Sequence, residues 1–196
     1  MKTFILKVIG ITLIAVIAVL AIGYSVFMIF FPATLASFYD GIGAYDAAVF
    51  YSYRNYERTE DKNDLNAVCR YALKTGDSET AIKYLDMLVD GEFYEFCAQE
   101  ETLGETYYNF ITGKLVTLKY YNGESANGCV DLARGFTRHY TNDCALRAMI
   151  FSAVDKNDRA TLNYVKSVIQ TLSATLEGDE KLLADDDLTN LNEFLI

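Results

Sequence analysis

The residue types that could support catalysis are few and lie far apart along the chain. The one histidine, His139, lies in an Arg-His-Tyr segment that we predict to be helical. Cys129 and Cys144 are near enough in sequence to form a cysteine–histidine nucleophile pair with it, but no catalytic signature surrounds either cysteine. An acidic tract could hold a cation or supply a carboxylate pair, although solvated helix faces more commonly account for such tracts. Its members are Asp90, Glu92, Glu95, Glu100, Glu101 and Glu105.

No motif for phosphate, metal or nucleophile chemistry accompanies these residues. The tetrapeptide Asp-Lys-Asn-Asp occurs at 61–64 and again at 155–158, but neither copy has the ligand number or the glycine of a calcium-binding loop. We interpret both copies as helix caps. The run 185–187, three aspartates, is interpreted as the first turn of a last helix, where negative charge is favourable. The sequence therefore predicts no catalytic residue, no cofactor and no metal site, and hence no enzyme.

Four cysteines are present, and none forms a C-x-x-C pair, so a zinc site is poorly supported. In a domain outside the cytoplasm an even number of cysteines could form two disulfides. Sequence proximity favours Cys69 with Cys97 and Cys129 with Cys144. Free thiols, buried as small apolar side chains, are the alternative.

Charge and composition exclude some classes of partner. The chain has 196 residues, 52% of them apolar, and a formal net charge of −10. After residue 31 there are 15 basic and 27 acidic side chains. So acidic a domain repels phosphate backbones, which excludes nucleic acid, and it is expected to be repelled by an anionic lipid surface.

The first 31 residues have the pattern of a membrane anchor. The segment 8–31 contains no charged residue, and as a helix it is long enough to span a hydrocarbon core of about 30 Å. It is longer than the apolar part of a cleaved signal peptide, so we predict an uncleaved signal anchor. Lys2 and Lys7 precede it, and the next basic residue is Arg54. We therefore expect a single-pass protein of the cytoplasmic membrane, with the N-terminus inside and the C-terminal domain outside.

Helical periodicity dominates the rest of the chain, and no segment alternates as a strand does. Apolar residues recur every three to four positions, as in the stripe formed by Leu162, Val165, Ile169 and Leu172. Short polar breaks between the stripes predict antiparallel helical hairpins. We predict an all-α fold, with helical hairpins over 32–121 and further hairpins of the same domain over 122–196.

An internal repeat is the most informative feature of the sequence. The segment 43–51 aligns with 76–84 at an offset of 33 residues, with glycine, alanine, a branched aliphatic residue and tyrosine recurring. A period in the low thirties is typical of stacked helix–turn–helix units. The glycine permits a tight turn between two helices, and the alanine lets them approach closely.

In these positions the sequence resembles a tetratricopeptide repeat (TPR), over residues 33–90. The first copy has Leu35, Ala36, Tyr39, Gly43, Tyr45 and Ala48 at the expected places, and the second has Leu65, Val68, Cys69, Gly76 and Ala81. Ala72 occupies an aromatic position of the second copy, the usual proline is missing from both, and a third copy beginning near Leu103 loses the pattern. The resemblance implies an α-solenoid whose inner groove binds a peptide or a helix of another protein.

Fifteen tyrosines suggest where such a partner would bind, because tyrosine is enriched at binding surfaces. Tyr39, Tyr71 and Tyr107 are our candidate partner-binding residues. We expect a membrane-anchored protein–protein interaction module, bacterial because the chain has no N-x-S/T glycosylation site. The alternatives are a structural accessory subunit of a larger membrane complex, or a small-ligand-binding or enzymatic helical domain with an enclosed pocket.

Overall fold

The computed structural model describes residues 2–99 and 103–196, with side chains from residue 9 onwards. All regular structure in these ranges is helical, which confirms the predicted all-α class. The helices are α1 (Lys2–Phe30), α2 (Pro32–Gly41), α3 (Tyr45–Thr59), α4 (Lys62–Thr75), α5 (Ser78–Leu88), α6 (Phe93–Gln99), α7 (Gly104–Tyr121), α8 (Ala126–Phe136), α9 (Ala145–Asp155), α10 (Arg159–Ser173) and α11 (Gly178–Leu195).

Helix α1 carries the predicted anchor. Its segment Ile9–Phe30 has a mean hydropathy of 2.7, and none of it is buried within the protein. By length and composition it is the one described helix able to cross a membrane. Helix α1 ends at Phe30, and α2 begins at Pro32. At the first position of a helix the missing N–H of proline costs no hydrogen bond.

The chain forms two compact units, Met1–Asp77 and Ser78–Ile196. The predicted flexible break at 122–128 lies inside the second unit, between α7 and α8. The segment 65–90, the second copy of the repeat, has its first helix in one unit and its second helix in the other.

The two units differ in charge. The first unit has seven basic and seven acidic residues, and the second unit has ten basic and twenty acidic residues, so the second unit carries the whole net charge.

In the first unit, α3 packs against both α2 and α4, and α2 contacts α1. Leu35, Ala36 and Tyr51 form a small core, on which Met28, Tyr39, Ala47 and Tyr71 pack. Gly43 follows α2 and Gly76 follows α4, with φ angles of 75° and 77°. Glycine adopts this left-handed conformation without strain. These are the two glycines that the repeat alignment placed at turns.

The second unit contains the larger core, built from α7 to α11. Helix α7 packs against α8 and α9, α8 against α9 and α10, and α10 against α9 and α11, while α5 and α6 pack on α7. The fully buried side chains at its centre include Leu146, Met149, Leu162, Val165 and Ile169. The predicted stripe of α10 therefore faces the core, as its periodicity requires.

Helices α7 and α9 run parallel, because their contacting residues advance in the same direction. The pairs, in order, are Asn109 with Asp143 just before α9, Gly113 with Ala148, and Thr117 with Ser152. The two hydrogen-bonded pairs are 34 and 35 residues apart in sequence. Helix α8 connects the two helices and packs against both of them.

Candidate functional site

An open groove of about 330 Å³ runs between α7 and α9. Its α7 wall follows one face of the helix for three turns, and Asp143 and Ala148 complete the opposite side. The α7 residues are Thr106, Asn109, Phe110, Gly113, Lys114 and Thr117.

Small residues let the two helices approach closely at the floor of this groove. A Cβ placed on Gly113 would lie 3.4 Å from the Cβ of Ala148, so the helices are in van der Waals contact there. Above the floor, the ring of Phe110 is 48% exposed, and the Lys114 ammonium lies 5.8 Å from its centroid. The groove thus offers an exposed aromatic surface beside a cation, a combination typical of protein-binding surfaces.

One end of the groove is fixed by a polar network. The amide of Asn109, which is buried, donates to Thr141 Oγ1 and to Asp143 Oδ1, both at 3.2 Å. The hydroxyl of Thr141 also donates to Asp143 Oδ1, at 2.7 Å. These bonds hold the start of α9 against α7 and keep the groove formed without a ligand.

The structure separates the three predicted binding tyrosines. Tyr39 and Tyr71 pack on the same cluster in the first unit, whereas Tyr107 belongs to the second. The ring of Tyr107 lies 6.4 Å from that of Phe110, which places it beside the groove. The Lys74 ammonium lies 5.6 Å from the ring of Tyr71.

Tyr39 is engaged in holding the anchor helix. Its ring stacks on Tyr51 with centroids 5.3 Å apart, and its hydroxyl lies 3.2 Å from that of Tyr24 on α1. The hydroxyl of Tyr24 also contacts that of Tyr51. The hydrogen bond with Tyr24 raises the pKa of Tyr39, and burial adds to this effect. We call Tyr24, Tyr39 and Tyr51 the tyrosine junction.

All four cysteines are buried, and none of them is assigned to a disulfide. The predicted disulfides are therefore not present in the structure, which has the alternative arrangement of buried apolar thiols. Burial raises the pKa of Cys69 to about 12, and it also raises the pKa of Cys129 and Cys144. A protonated thiol is a poor nucleophile and a poor metal ligand, so the cysteine–histidine pair has no support here.

The expectation that His139 lies on a helix is wrong, because α8 ends at Phe136 and residues 137–144 form a connection to α9. The side chain of His139 is 52% exposed, and its Nδ1 lies 3.1 Å from Glu180 Oε1. The backbone N–H of Tyr140 donates to the other carboxylate oxygen of Glu180 at 3.1 Å. That backbone bond is the main cause of the lowered pKa of Glu180, to which His139 also contributes.

Asp187 was predicted to begin the last helix, but α11 begins at Gly178 and Asp187 lies in its interior, 6% exposed. It accepts a hydrogen bond from the hydroxyl of Tyr140 at 2.7 Å. Arg147 Nη2 donates to its Oδ1 at 3.2 Å, and Arg147 Nε lies 2.8 Å from Oδ2. The Nε–H has no well-aligned hydrogen-bond acceptor, so that short contact is ionic. Burial, with the bond to Asp187, raises the pKa of Tyr140 far above its usual range.

The predicted acidic tract is described only in part, since Glu100 and Glu101 lie outside the described residues. In the described residues no three histidine, cysteine, aspartate or glutamate side chains are grouped so that they could hold a metal ion. Two other clefts of the second unit, of about 420 and 310 Å³, are open to solvent. Neither is an enclosed cavity.

Comparison with known proteins identifies no relative. No family model matches the chain, and no curated protein or solved structure matches it either. The function must therefore be argued from the groove, the anchor and the charges of the chain itself.

Proposed function

We propose that this chain is a membrane-anchored, TPR-like adaptor that binds a segment of a partner protein in the groove between α7 and α9. It has no catalytic role. Residues 8–31 anchor it in the cytoplasmic membrane of a bacterium, with the N-terminus inside and the helical domain outside.

The parallel arrangement of α7 and α9, with contacts 34 and 35 residues apart, is the observation that carries the proposal. In a TPR the first helices of successive repeats lie parallel at this spacing and line the inner groove. Contacts between residues at nearly the same separation in sequence occur elsewhere in the chain. Lys74 pairs with Asp40 across 34 residues, and Tyr164 bonds to Asp131 across 33.

The shape and chemistry of the groove fit a peptide or a helix better than a small molecule. From Thr106 to Thr117 the α7 wall extends about 16 Å at the helical rise per residue. The groove is open along its length. Its walls combine apolar surface, as at Phe110, with hydrogen-bonding side chains, as at Asn109 and Lys114. An amphipathic segment of a partner could pack its apolar side on Phe110 and extend its polar groups to Asn109 and Lys114.

Photocrosslinking in native membranes tests this proposal. The full chain would carry a photoreactive phenylalanine analogue in place of Phe110, which lines the groove, or of Phe194, an exposed phenylalanine on α11. We expect a discrete protein adduct at position 110 and none at 194. Equal adducts at the two positions, or no adduct at 110, would remove the groove as the binding site.

A groove-filling variant provides a matched check. Thr106→Trp adds a large side chain to the groove at an exposed position, and Thr189→Trp makes the same change at an exposed position on α11. Thr106→Trp should abolish the adduct formed at position 110, and Thr189→Trp should leave it intact. If both variants retained the adduct, the partner would bind elsewhere.

The tyrosine junction also favours a second candidate, a structural accessory subunit of a membrane complex. Its hydroxyl contacts tie the anchor helix to α2 and α3, so the anchor and this helical hairpin can act together as a rigid element. That role predicts stable comigration with a large assembly on native gels after mild solubilisation. A monomer that still forms the adduct at position 110 would favour the adaptor.

A further inference from the structure

A small basic cleft lies where the anchor helix ends. It measures about 200 Å³ and is lined by Met28 and Ile29 of α1, by Pro32, and by Arg54, Glu57 and Arg58 of α3. In sequence, Arg54 is the first basic residue after the anchor and is 22 positions beyond Pro32. The fold nevertheless brings it back to the last turns of the apolar helix.

Contacts within the first unit fix this arrangement. The tyrosine junction holds α2 and α3 to α1, and Arg58 Nη1 donates to the backbone carbonyl of Phe30 at 3.4 Å. That carbonyl belongs to the last turn of α1, which has no further helical donor to bind it. The guanidinium of Arg58 is therefore held at the end of the apolar segment, at the depth where a spanning helix leaves the hydrocarbon core.

The two arginines are also oriented by their neighbours. The Arg54 guanidinium lies 5.9 Å from the ring centroid of Phe50, and Arg58 Nη2 donates to Asn55 Oδ1 at 3.0 Å. Arg54 and Arg58 are one helical turn apart on α3, and both are exposed. With Glu57 between them, the cleft carries a net charge of +1.

We propose that Arg54 and Arg58 bind the phosphate of an anionic phospholipid at the membrane surface where α1 emerges. Guanidinium groups suit this ligand because their paired N–H donors match phosphate oxygens. The lipid is favoured over a soluble phosphate because one wall of the cleft is the end of the membrane-spanning helix itself. Most of the acidic excess that predicted repulsion from anionic lipid belongs to the second unit, which has ten basic and twenty acidic residues, whereas residues 32–77 have five basic and seven acidic residues.

The absence of tryptophan from the chain makes a direct measurement possible. Phe30→Trp introduces a single tryptophan, which can be excited selectively, at an exposed side chain beside the cleft. The full chain would be placed in phosphatidylcholine vesicles containing equal small fractions of brominated phosphatidylglycerol or brominated phosphatidylcholine. We expect phosphatidylglycerol to be enriched about fivefold at the tryptophan, the effect of roughly one net charge at a membrane surface.

Charge variants in the Phe30→Trp background identify the residues responsible. Arg54→Gln with Arg58→Gln changes the net charge of the cleft from +1 to −1 and should bring the enrichment to one or below, and Glu57→Gln should increase it. Arg134→Gln with Arg159→Gln, two exposed arginines of the second unit, changes the net charge equally and should leave the enrichment unchanged. An equal loss in this control pair would overturn the proposal, because general charge would then explain the effect. The opposite response of Glu57→Gln separates loss of the site from loss of folding.

A final arm separates lipid from soluble phosphate. Inorganic phosphate would be added to the same vesicles at constant ionic strength, and we expect the preference for phosphatidylglycerol to persist. If millimolar phosphate removed the preference, and a phosphate-free salt at the same ionic strength did not, the ligand would be a soluble phosphate. The lipid assignment would then be wrong.

Discussion

Arg147 and Asp187 form an ion pair that is largely removed from water, together with Tyr140. Such a pair gains little over an apolar pair of the same size, because desolvation offsets most of the attraction. Removing one partner is different, since it leaves the other charge buried without compensation. The pair joins α9 to α11, so its main effect is to fix how these helices pack.

We predict that Arg147→Met lowers the free energy of unfolding by about 3 kcal/mol, the usual cost of breaking a buried pair. Arg147→Met with Asp187→Leu should recover most of that loss, because no unpaired charge remains. Urea unfolding of the full chain in detergent, followed by circular dichroism, measures both. Arg159→Met, at an exposed arginine, is the control and should change stability by less than about 0.5 kcal/mol. A double variant no more stable than the single one would contradict this account.

Sequence alone could not place these residues, although it identified their types. In the run 185–187, only the third aspartate is buried, and the reason is its distant partner on α9. His139 and Tyr140 were predicted to be helical because no glycine or proline marks the break at 137–144. There Tyr140 is buried through its bond to Asp187, and the contact of its backbone N–H with Glu180 replaces a helical bond. Tertiary contacts of this kind leave no local signal.

At the scale of helices, the prediction that both copies of Asp-Lys-Asn-Asp are helix caps is confirmed, but a different residue of the tetrapeptide forms the cap in each copy. Asp61 caps α4 by accepting from the N–H of Asn63 at 2.8 Å. In the second copy it is the last residue, Asp158, that caps α10, because α9 continues to Asp155. The positions of these turns were therefore predictable from sequence. Which residue of each tetrapeptide forms the N-cap was not, because it depends on where the preceding helix ends.

Asp158 also joins α7 to α10, since it accepts from Thr161 at the start of α10 and from the hydroxyl of Tyr120 on α7 at 2.8 Å. These bonds, chiefly that of the Thr161 hydroxyl at 2.6 Å, lower its pKa below the ordinary value of 3.8. The carboxylate therefore stabilises the folded state at pH values above about 4. That contribution is lost as the pH falls through the lowered pKa.

We predict that Asp158→Ala costs about 1 to 2 kcal/mol at pH 7, as expected for loss of an N-cap, and that the difference from the natural chain shrinks below pH 4. Thermal unfolding between pH 3 and pH 7 measures this change. Asp186→Ala, at an exposed aspartate of α11, should alter stability little at any pH. A cost for Asp158→Ala that stayed constant down to pH 3 would show that the cap does not depend on its charge.

For the whole molecule, sequence predicted the helical class and the anchor because both follow from periodicity and hydropathy. The division at residue 77 was not predicted, since the connection Gly76–Asp77 has the same appearance as the other short breaks. The parallel pairing of α7 and α9 was not predicted either, because the repeat pattern fades in this part of the sequence. Contacts between residues 34 and 35 positions apart occur there, although the residues of the repeat pattern are absent. Small residues such as Gly113 and Ala148 allow these two helices to approach closely.

The orientation across the membrane is the property of the whole chain on which the proposed function most depends. Because the four native thiols are buried and those of Cys69, Cys129 and Cys144 have raised pKa values, a membrane-impermeant maleimide should react with them slowly. A cysteine added at the exposed position of Glu193, on α11, should therefore give the dominant signal.

We predict that Glu193→Cys is labelled in intact cells as fully as after permeabilisation, because the two lysines before the apolar segment favour an N-terminus in the cytoplasm. The chain without the added cysteine should remain nearly unlabelled in both conditions, and labelling of the denatured chain confirms that its thiols are present and reduced. Labelling of Glu193→Cys only after permeabilisation would place the helical domain in the cytoplasm. The groove would then meet cytoplasmic partners, and the basic cleft would lie against the inner leaflet, where anionic lipid is also available.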